Sequence, residues 1–148
     1  MRVERMVAAE AVLGAADLFD SPPLAAATAR FLAEPGHHLL FAYESEIEEG
    51  GGERPVGMIS GVEMTHPDKG TEMFIYELGV APEARLRGVG TALVEALAAI
   101  ARRRGCYGMW VGTEPDNEAA LATYRRGGAN EQAPMMLLSW DLTIGEQA

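Results

Sequence analysis

One cysteine, Cys106, and one lysine, Lys69, are all that 148 residues contain of either type. A lone thiol excludes a disulfide framework and any cysteine-based metal site, and it fits a reducing cytosol. Long apolar runs are missing too. None approaches the roughly 18 residues a membrane span requires, and the amino terminus lacks a signal peptide's basic start and apolar core. A cytoplasmic protein that does not enter membranes is therefore expected. Positive charge is scarce: 12 basic residues face 22 acidic ones, for a net charge of −10. Such a chain repels nucleic acid and anionic lipid and attracts cationic partners. His37, His38 and His66 sit in loops or at strand starts without metal-ligand spacing, so no metal and no histidine chemistry is expected.

What is present is ordinary globular material, 48% hydrophobic and 23% charged, in a length that suits one domain over residues 1–148. Folding should bury about 68–70% of the unfolded chain's surface. Residues 8–19 read as a helix, with Val12, Leu13, Ala16 and Phe19 at helical spacing. Asp20-Ser21-Pro22-Pro23 ends it and opens another, carrying Leu24, Ala27, Phe31 and Leu32 as far as Pro35-Gly36. Residues 39–43, 56–64, 73–80 and 107–113 read as strands. The acidic, glycine-rich stretch Glu46 to Glu53 reads as a solvated hairpin connection, and His66 to Gly70 as a turn. The clearest helix covers 88–104: Val89, Leu93, Leu97 and Ile100 form its stripe, and three arginines precede Gly105. Residues 117–126 form a further helix ending at Gly127-Gly128. Met135 to Leu142 reads as a final strand, apolar on both faces. The order βααββ(β)βαβαβ places the chain in the α/β or α+β class.

The most chemical segment is Arg85-Leu86-Arg87-Gly88-Val89-Gly90-Thr91, between a strand and a helix. Two close glycines let backbone approach a ligand, and the first N–H groups of a helix have no partner within it. With Arg85 and Arg87 they make a phosphate cradle; the plainer alternative is a glycine-eased turn with solvated arginines. A P-loop is excluded, because Thr91 stands where its lysine belongs. A dinucleotide fingerprint lacks its third glycine, Leu93 being there, although Glu114 could imitate its ribose-binding acid.

Arg85-x-x-Gly88-x-Gly90, preceded by Leu78-Gly79-Val80-x-Pro82, resembles the acetyl-CoA motif of the GCN5-related N-acetyltransferases. Asn117-x-x-Ala120-x-x-x-Tyr124-x-x-x-Gly128 is similar to that superfamily's second signature. Together the two motifs span Met73 to Gly128. Ile75 to Val80, Thr91-Ala92-Leu93 and Ala120 to Tyr124 further resemble the type I aminoglycoside 3-N-acetyltransferases, as do Asp17-Leu18-Phe19 and Pro55-Val56-Gly57. Ala129 departs from the superfamily, which often has an aromatic there.

The resemblance implies a mixed, mostly antiparallel sheet flanked by helices and splayed between the strands at 73–80 and 107–113. Acetyl-CoA as acyl donor would fill that gap, its pantetheine arm on the backbone of Leu78 and Val80. Gly79 then suits a bulge, or packs in a continuous sheet. The pyrophosphate would meet the amides of Arg87, Gly88, Val89, Gly90 and Thr91, with Arg85 and Arg87 neutralising it. Asn117 would touch the arm; it is also well placed as an N-cap. Tyr124 is expected to protonate the departing thiolate, its alternative being a half-buried packing tyrosine. Glu77, in an apolar strand, is the first candidate base and Glu114 the second. The implied acceptor is a primary amine of a cationic small molecule, an aminoglycoside before others, with antibiotic resistance as the consequence. Another small amine, a polyamine, a protein amino group and a non-catalytic acyl-CoA-binding module remain open. The terminal run with Trp140 is core or pairs with a second subunit, as the resemblance implies for a homodimer.

Overall fold

The computed structural model describes residues 1–44 and 53–143. The acidic connection expected from Glu46 lies, up to Gly52, outside the described residues. Strands β1 (Arg2–Arg5), β2 (His37–Tyr43), β3 (Pro55–His66), β4 (Gly70–Val80) and β5 (Gly108–Trp110) form one sheet in chain order. The first three pairings are antiparallel and β4–β5 is parallel, which makes the sheet mixed and mostly antiparallel.

Helix α3 (Val89–Arg103) lies across one face, burying Val89, Leu93, Val94, Leu97 and Ala101. It comes close because glycines lie beneath it. A Cβ on Gly57 would stand 2.7 Å from Val89, and one on Gly61 would stand 2.8 Å from Leu97. Both are closer than real carbon contacts permit, so these two glycines set the distance between helix and sheet. The helix ends as its sequence dictates: Gly105 turns left-handed at φ 80, and the Cys106 amide reaches the Ala101 carbonyl at 2.9 Å. Short helices α1 (Ala9–Leu13) and α2 (Ala25–Ala33) cover the other face, where Met6, Val12, Leu18, Leu39, Phe41 and Met58 pack.

Three expectations are corrected. The helix read over 8–19 breaks at Gly14, giving α1 and a 3-10 turn over Ala16–Leu18. The bulge in β4 lies at Tyr76, because Ser60 pairs with Glu77 while Gly61 pairs with Ile75. Gly79 is a close-approach glycine instead: a Cβ there would stand 2.3 Å from the Leu18 carbonyl oxygen. The run from Met135 to Leu142 forms no strand and joins neither core; Met135, Met136, Leu137, Leu138, Trp140 and Leu142 all stand exposed.

His38 also has a place its sequence did not indicate. It is buried, with Nε2–H donating to Glu63 Oε2 at 2.7 Å while Nδ1 accepts from Arg5 Nε at 3.3 Å. Arg104 Nε donates to the same Glu63 oxygen at 3.0 Å. Burial lowers the His38 pKa, outweighing the Glu63 hydrogen bond, and the Arg5 and Arg104 charges add to the lowering. Burial alone would raise Glu63, but the bonds from His38 and Arg104 hold its carboxyl below the usual range. His38 therefore binds its proton more readily in the unfolded chain, so stability falls as pH drops below about 6.5. Glu63 contributes stability above about 4.5 that is lost as pH falls through its lowered folded value. We expect the melting temperature to decline in two stages on acidification. In His38→Gln the stage that begins near pH 6.5 should vanish; an unchanged profile by thermal melting would refute the assignment.

Candidate active site

The sheet opens where β4 and β5 part. They pair only through Glu72–Phe74 and Gly108–Trp110, so 75–80 of β4 has no strand partner on that side among the described residues. On its other side the same stretch is paired with β3, through Leu78–Ile59, Gly79–Met58 and Val80–Gly57. A single unpaired row of backbone groups thus faces the gap, as a peptide-like ligand requires.

The start of α3 adjoins this gap. Gly88 is its N-cap, left-handed at φ 79, with no side chain to satisfy the first turn. The first helical bond of the loop joins the Ala92 amide to the Gly88 carbonyl at 3.0 Å. The amides of Gly88, Val89, Gly90 and Thr91 precede it and are the donors an anion can take. Leu86 also sits at positive φ, 63, with its side chain wholly in water. A non-glycine residue in that region is strained, and such strain collects at functional loops. Gly90 marks the junction. A Cβ there would stand 3.0 Å from Thr123 and within 4 Å of both Val80 and Leu78, so loop, strand and the following helix α4 (Glu118–Arg126) meet at one glycine. Gly127 works alike, since its Cβ would stand 2.5 Å from Val94.

The expected cations flank this start but are already engaged. Arg87 Nη1 donates to both Glu44 carboxylate oxygens at 2.9 Å, and its Nη2 to the Glu83 carbonyl at 2.8 Å. Arg85 Nε reaches the Val80 carbonyl at 3.4 Å. Asn117 is an N-cap, its Oδ1 accepting from the Ala120 amide at 3.1 Å. Tyr124 lies half-buried on α4 against the α3-side core, and burial raises its phenol pKa. The hydroxyl therefore stays protonated at neutral pH.

Glu77 lies beyond the Tyr76 bulge. Burial is the main cause of its raised pKa, and the Asp20 charge adds to it. It faces a cavity of about 220 Å³ walled mainly by Val12, Phe19, Leu24, Phe31, Leu32 and Leu39. Glu114 is placed apart from this wall, exposed on the turn before α4, where its carbonyl accepts from the Asn117 amide at 3.1 Å. The structure thus gathers Leu78, Val80, Gly90 and Thr123 around one junction, with Gly88 and Val89 leading into it and Tyr124 next to Thr123 on α4. It sets Glu77 on the same strand and leaves Glu114 at the rim. Sequence reading missed Asp20, taken only as a helix terminator, and Glu44, which carries no local signal.

The arrangement is one known elsewhere. The acetyltransferase (GNAT) family matches residues 9–128. An L-2,4-diaminobutyric acid acetyltransferase of Nocardia farcinica is 30% identical over 87 residues, 55% of this chain and 44% of its own. The chain spans less than half the length of the curated relatives it matches. Among solved structures, a putative acetyltransferase from Agrobacterium tumefaciens superposes with a TM-score of 0.78 at 20% identity, covering 95% of this chain and all of the other. An aminoglycoside N-acetyltransferase in complex with CoA superposes at 0.73 with 17% identity, covering 95% and 99%. At those identities the likeness establishes the fold.

The strain at Leu86 is directly testable. Replacing it with glycine removes a left-handed penalty of about 1–2 kcal/mol and adds some backbone entropy to the unfolded chain. Leu86→Gly should therefore gain up to about 1 kcal/mol in urea unfolding. A loss of stability would refute the strain assigned to Leu86.

Proposed function

The chain belongs to the acetyltransferase (GNAT) family, and from that premise we propose that it is one N-acetyltransferase domain serving a cationic small molecule. Its acceptor is a primary amine, an aminoglycoside being the first to examine. The observation carrying the reading is the junction at Gly90, where an open strand edge, an uncapped helix start and the Tyr124 helix converge. Acetyl-CoA fits that junction: a pantetheine arm is amide-bearing and extended, as the β4 edge requires, and a pyrophosphate suits the helix start. Bound there, it supplies an acetyl thioester.

The chain's own residues do the rest. Leu78, Gly79 and Val80 offer backbone to the arm, while Arg85, Arg87 and the amides of Gly88 to Thr91 hold phosphate. Asn117 fixes the start of α4 and so the position of Tyr124. Glu77, its pKa raised by burial, accepts the proton an ammonium must lose before it can attack. Tyr124 donates a proton as the thiol leaves; because a thiol's pKa is only about 8.5, that help is partial at neutral pH. Glu114 and the net charge of −10 favour a cationic acceptor at the rim. The lone cysteine suits a cytoplasmic enzyme, and acetylation of an aminoglycoside there would confer antibiotic resistance. The exposed apolar run at 135–142 supports a homodimer.

A second reading has its own observation. The wall beside Glu77 is aliphatic and aromatic, which suits a monoamine with an apolar body better than a polyhydroxylated sugar. CoA-thiol release, measured against aminoglycosides, polyamines, arylalkylamines and short peptides, decides between them. Turnover with aminoglycosides alone supports the first reading, and turnover with arylalkylamines alone the second; no turnover with any amine sinks both.

Two variants test the roles. Glu77→Gln should lower kcat roughly 10²–10⁴-fold. In the wild type kcat/KM should fall as pH drops through a pKa above the ordinary carboxylate range, a limb that Glu77→Gln abolishes. Tyr124→Phe should cost about tenfold, with acetyl-CoA binding kept. Full activity in both variants would overturn the assignments.

A further inference from the structure

The arginines that close α3 take no part in the site above. They stand at the other end of a 15-residue helix, about 22 Å from the glycine loop. There Arg103 and Arg104 meet Arg5, brought from β1, around a cleft of about 440 Å³ whose remaining wall is Pro35, His38 and Ile100. Cations answering the negative end of a helix explain part of this grouping. They do not explain Arg5, which comes from a strand. The helix end also has little left to answer, since the Arg104, Gly105 and Cys106 amides already hold the carbonyls of Ile100, Arg102 and Ala101.

The three guanidinium groups keep donors to spare. Arg5 donates through Nε to His38 and through Nη2 to the His37 carbonyl, which leaves Nη1. Arg104 donates Nε to Glu63 and keeps both Nη groups. Arg103 makes no hydrogen bond or ion pair among the described residues. Two of the three are fixed from behind by groups out of the water: the His38 side chain is 3% exposed and that of Glu63 11%. Surface arginines without such anchors swing freely, so these two have surrendered part of the entropy that binding costs. The charges do not cancel. Three guanidinium groups stand against the single carboxylate of Glu63, and burial keeps His38 neutral at pH 7. No carboxylate lines the cleft itself, so a cation finds no ligand there.

We propose that this cleft binds a doubly charged oxyanion, inorganic phosphate or the phosphate group of a small monoester, through Arg5, Arg103 and Arg104. Two positive charges are unanswered there, and a dianion answers both. Guanidinium forks match phosphate oxygens in pairs, and forks arriving from two separate elements suit a tetrahedral anion better than a flat carboxylate. The net charge of −10 does not bar it, because at physiological salt the field of distant carboxylates fades beyond about 8 Å. The site is independent of what the glycine loop holds.

Equilibrium dialysis of the full chain against radiolabelled inorganic phosphate, slightly above neutral pH and at physiological salt, tests this. Arg103→Gln should weaken one bound phosphate at least about tenfold, and because Arg103 bonds to nothing the variant should fold as the wild type does. Arg87→Gln, on the glycine loop, should keep that same phosphate. Wild type that binds none overturns the proposal, as does binding that survives Arg103→Gln in full or is lost only in Arg87→Gln. Succinate, a dicarboxylate of equal charge, should compete weakly; competition equal to that of unlabelled phosphate overturns the choice of a tetrahedral anion. Glycerol 3-phosphate separates the two sources: tighter binding than inorganic phosphate supports a monoester as the ligand, and weaker binding supports the free ion.

Discussion

The approach of α3 to the sheet is the constraint on which the rest depends. Gly57 and Gly61 let the helix descend until Val89 and Leu97 occupy space that any side chain would fill. The helix start is thereby pinned beside the end of β4, at the place where β5 has already turned away. Gly90 and Gly127 repeat the device one layer out and bring α4 against α3. Four glycines thus set the relative positions of a helix start without a side-chain cap, an open strand edge and the helix that carries Tyr124. None of these is a chemical group, yet the chemistry has no fixed geometry without them.

Much of this could be read in the sequence, for reasons that differ by element. Helix α3 was legible because its stripe, its glycine stop and its terminal arginines all agree. The glycine loop was legible as the turn that starts α3, because Gly88 takes a left-handed φ that glycine adopts without strain. The β4–β5 parting came through family resemblance, since nothing in the composition of either strand encodes it. Strand β1 was hard to place: Arg2–Arg5 is mostly charged and becomes a strand only by pairing with β2. Met135 to Leu142 shows the converse. Its residues favour a strand, but a strand is a relation between two segments, and the described chain supplies only one.

The site shows the same division. Glu77 could be picked out because a carboxylate in an apolar strand is anomalous wherever it occurs. Its environment could not, since Asp20 and the apolar wall come from segments more than thirty residues away. Gly79 was recognised as special for the wrong reason: the bulge is three residues earlier, at Tyr76, and the glycine accommodates the Leu18 carbonyl. His38 was given no role because its partners, Glu63 and Arg5, are distant in sequence and adjacent only after β2 pairs with β3 and β1.

Arg87 grips both oxygens of Glu44 before any ligand arrives. If the loop takes phosphate as proposed above, recruitment there is an ion exchange, in which one anion is traded for another at Arg87. Selectivity follows from the trade. A singly charged oxyanion offers Arg87 little that Glu44 does not already give, whereas a diphosphate brings charge enough to occupy the helix amides and displace the carboxylate together. On that reading the Glu44 carboxylate sets a threshold against weak anions that the backbone donors alone would accept.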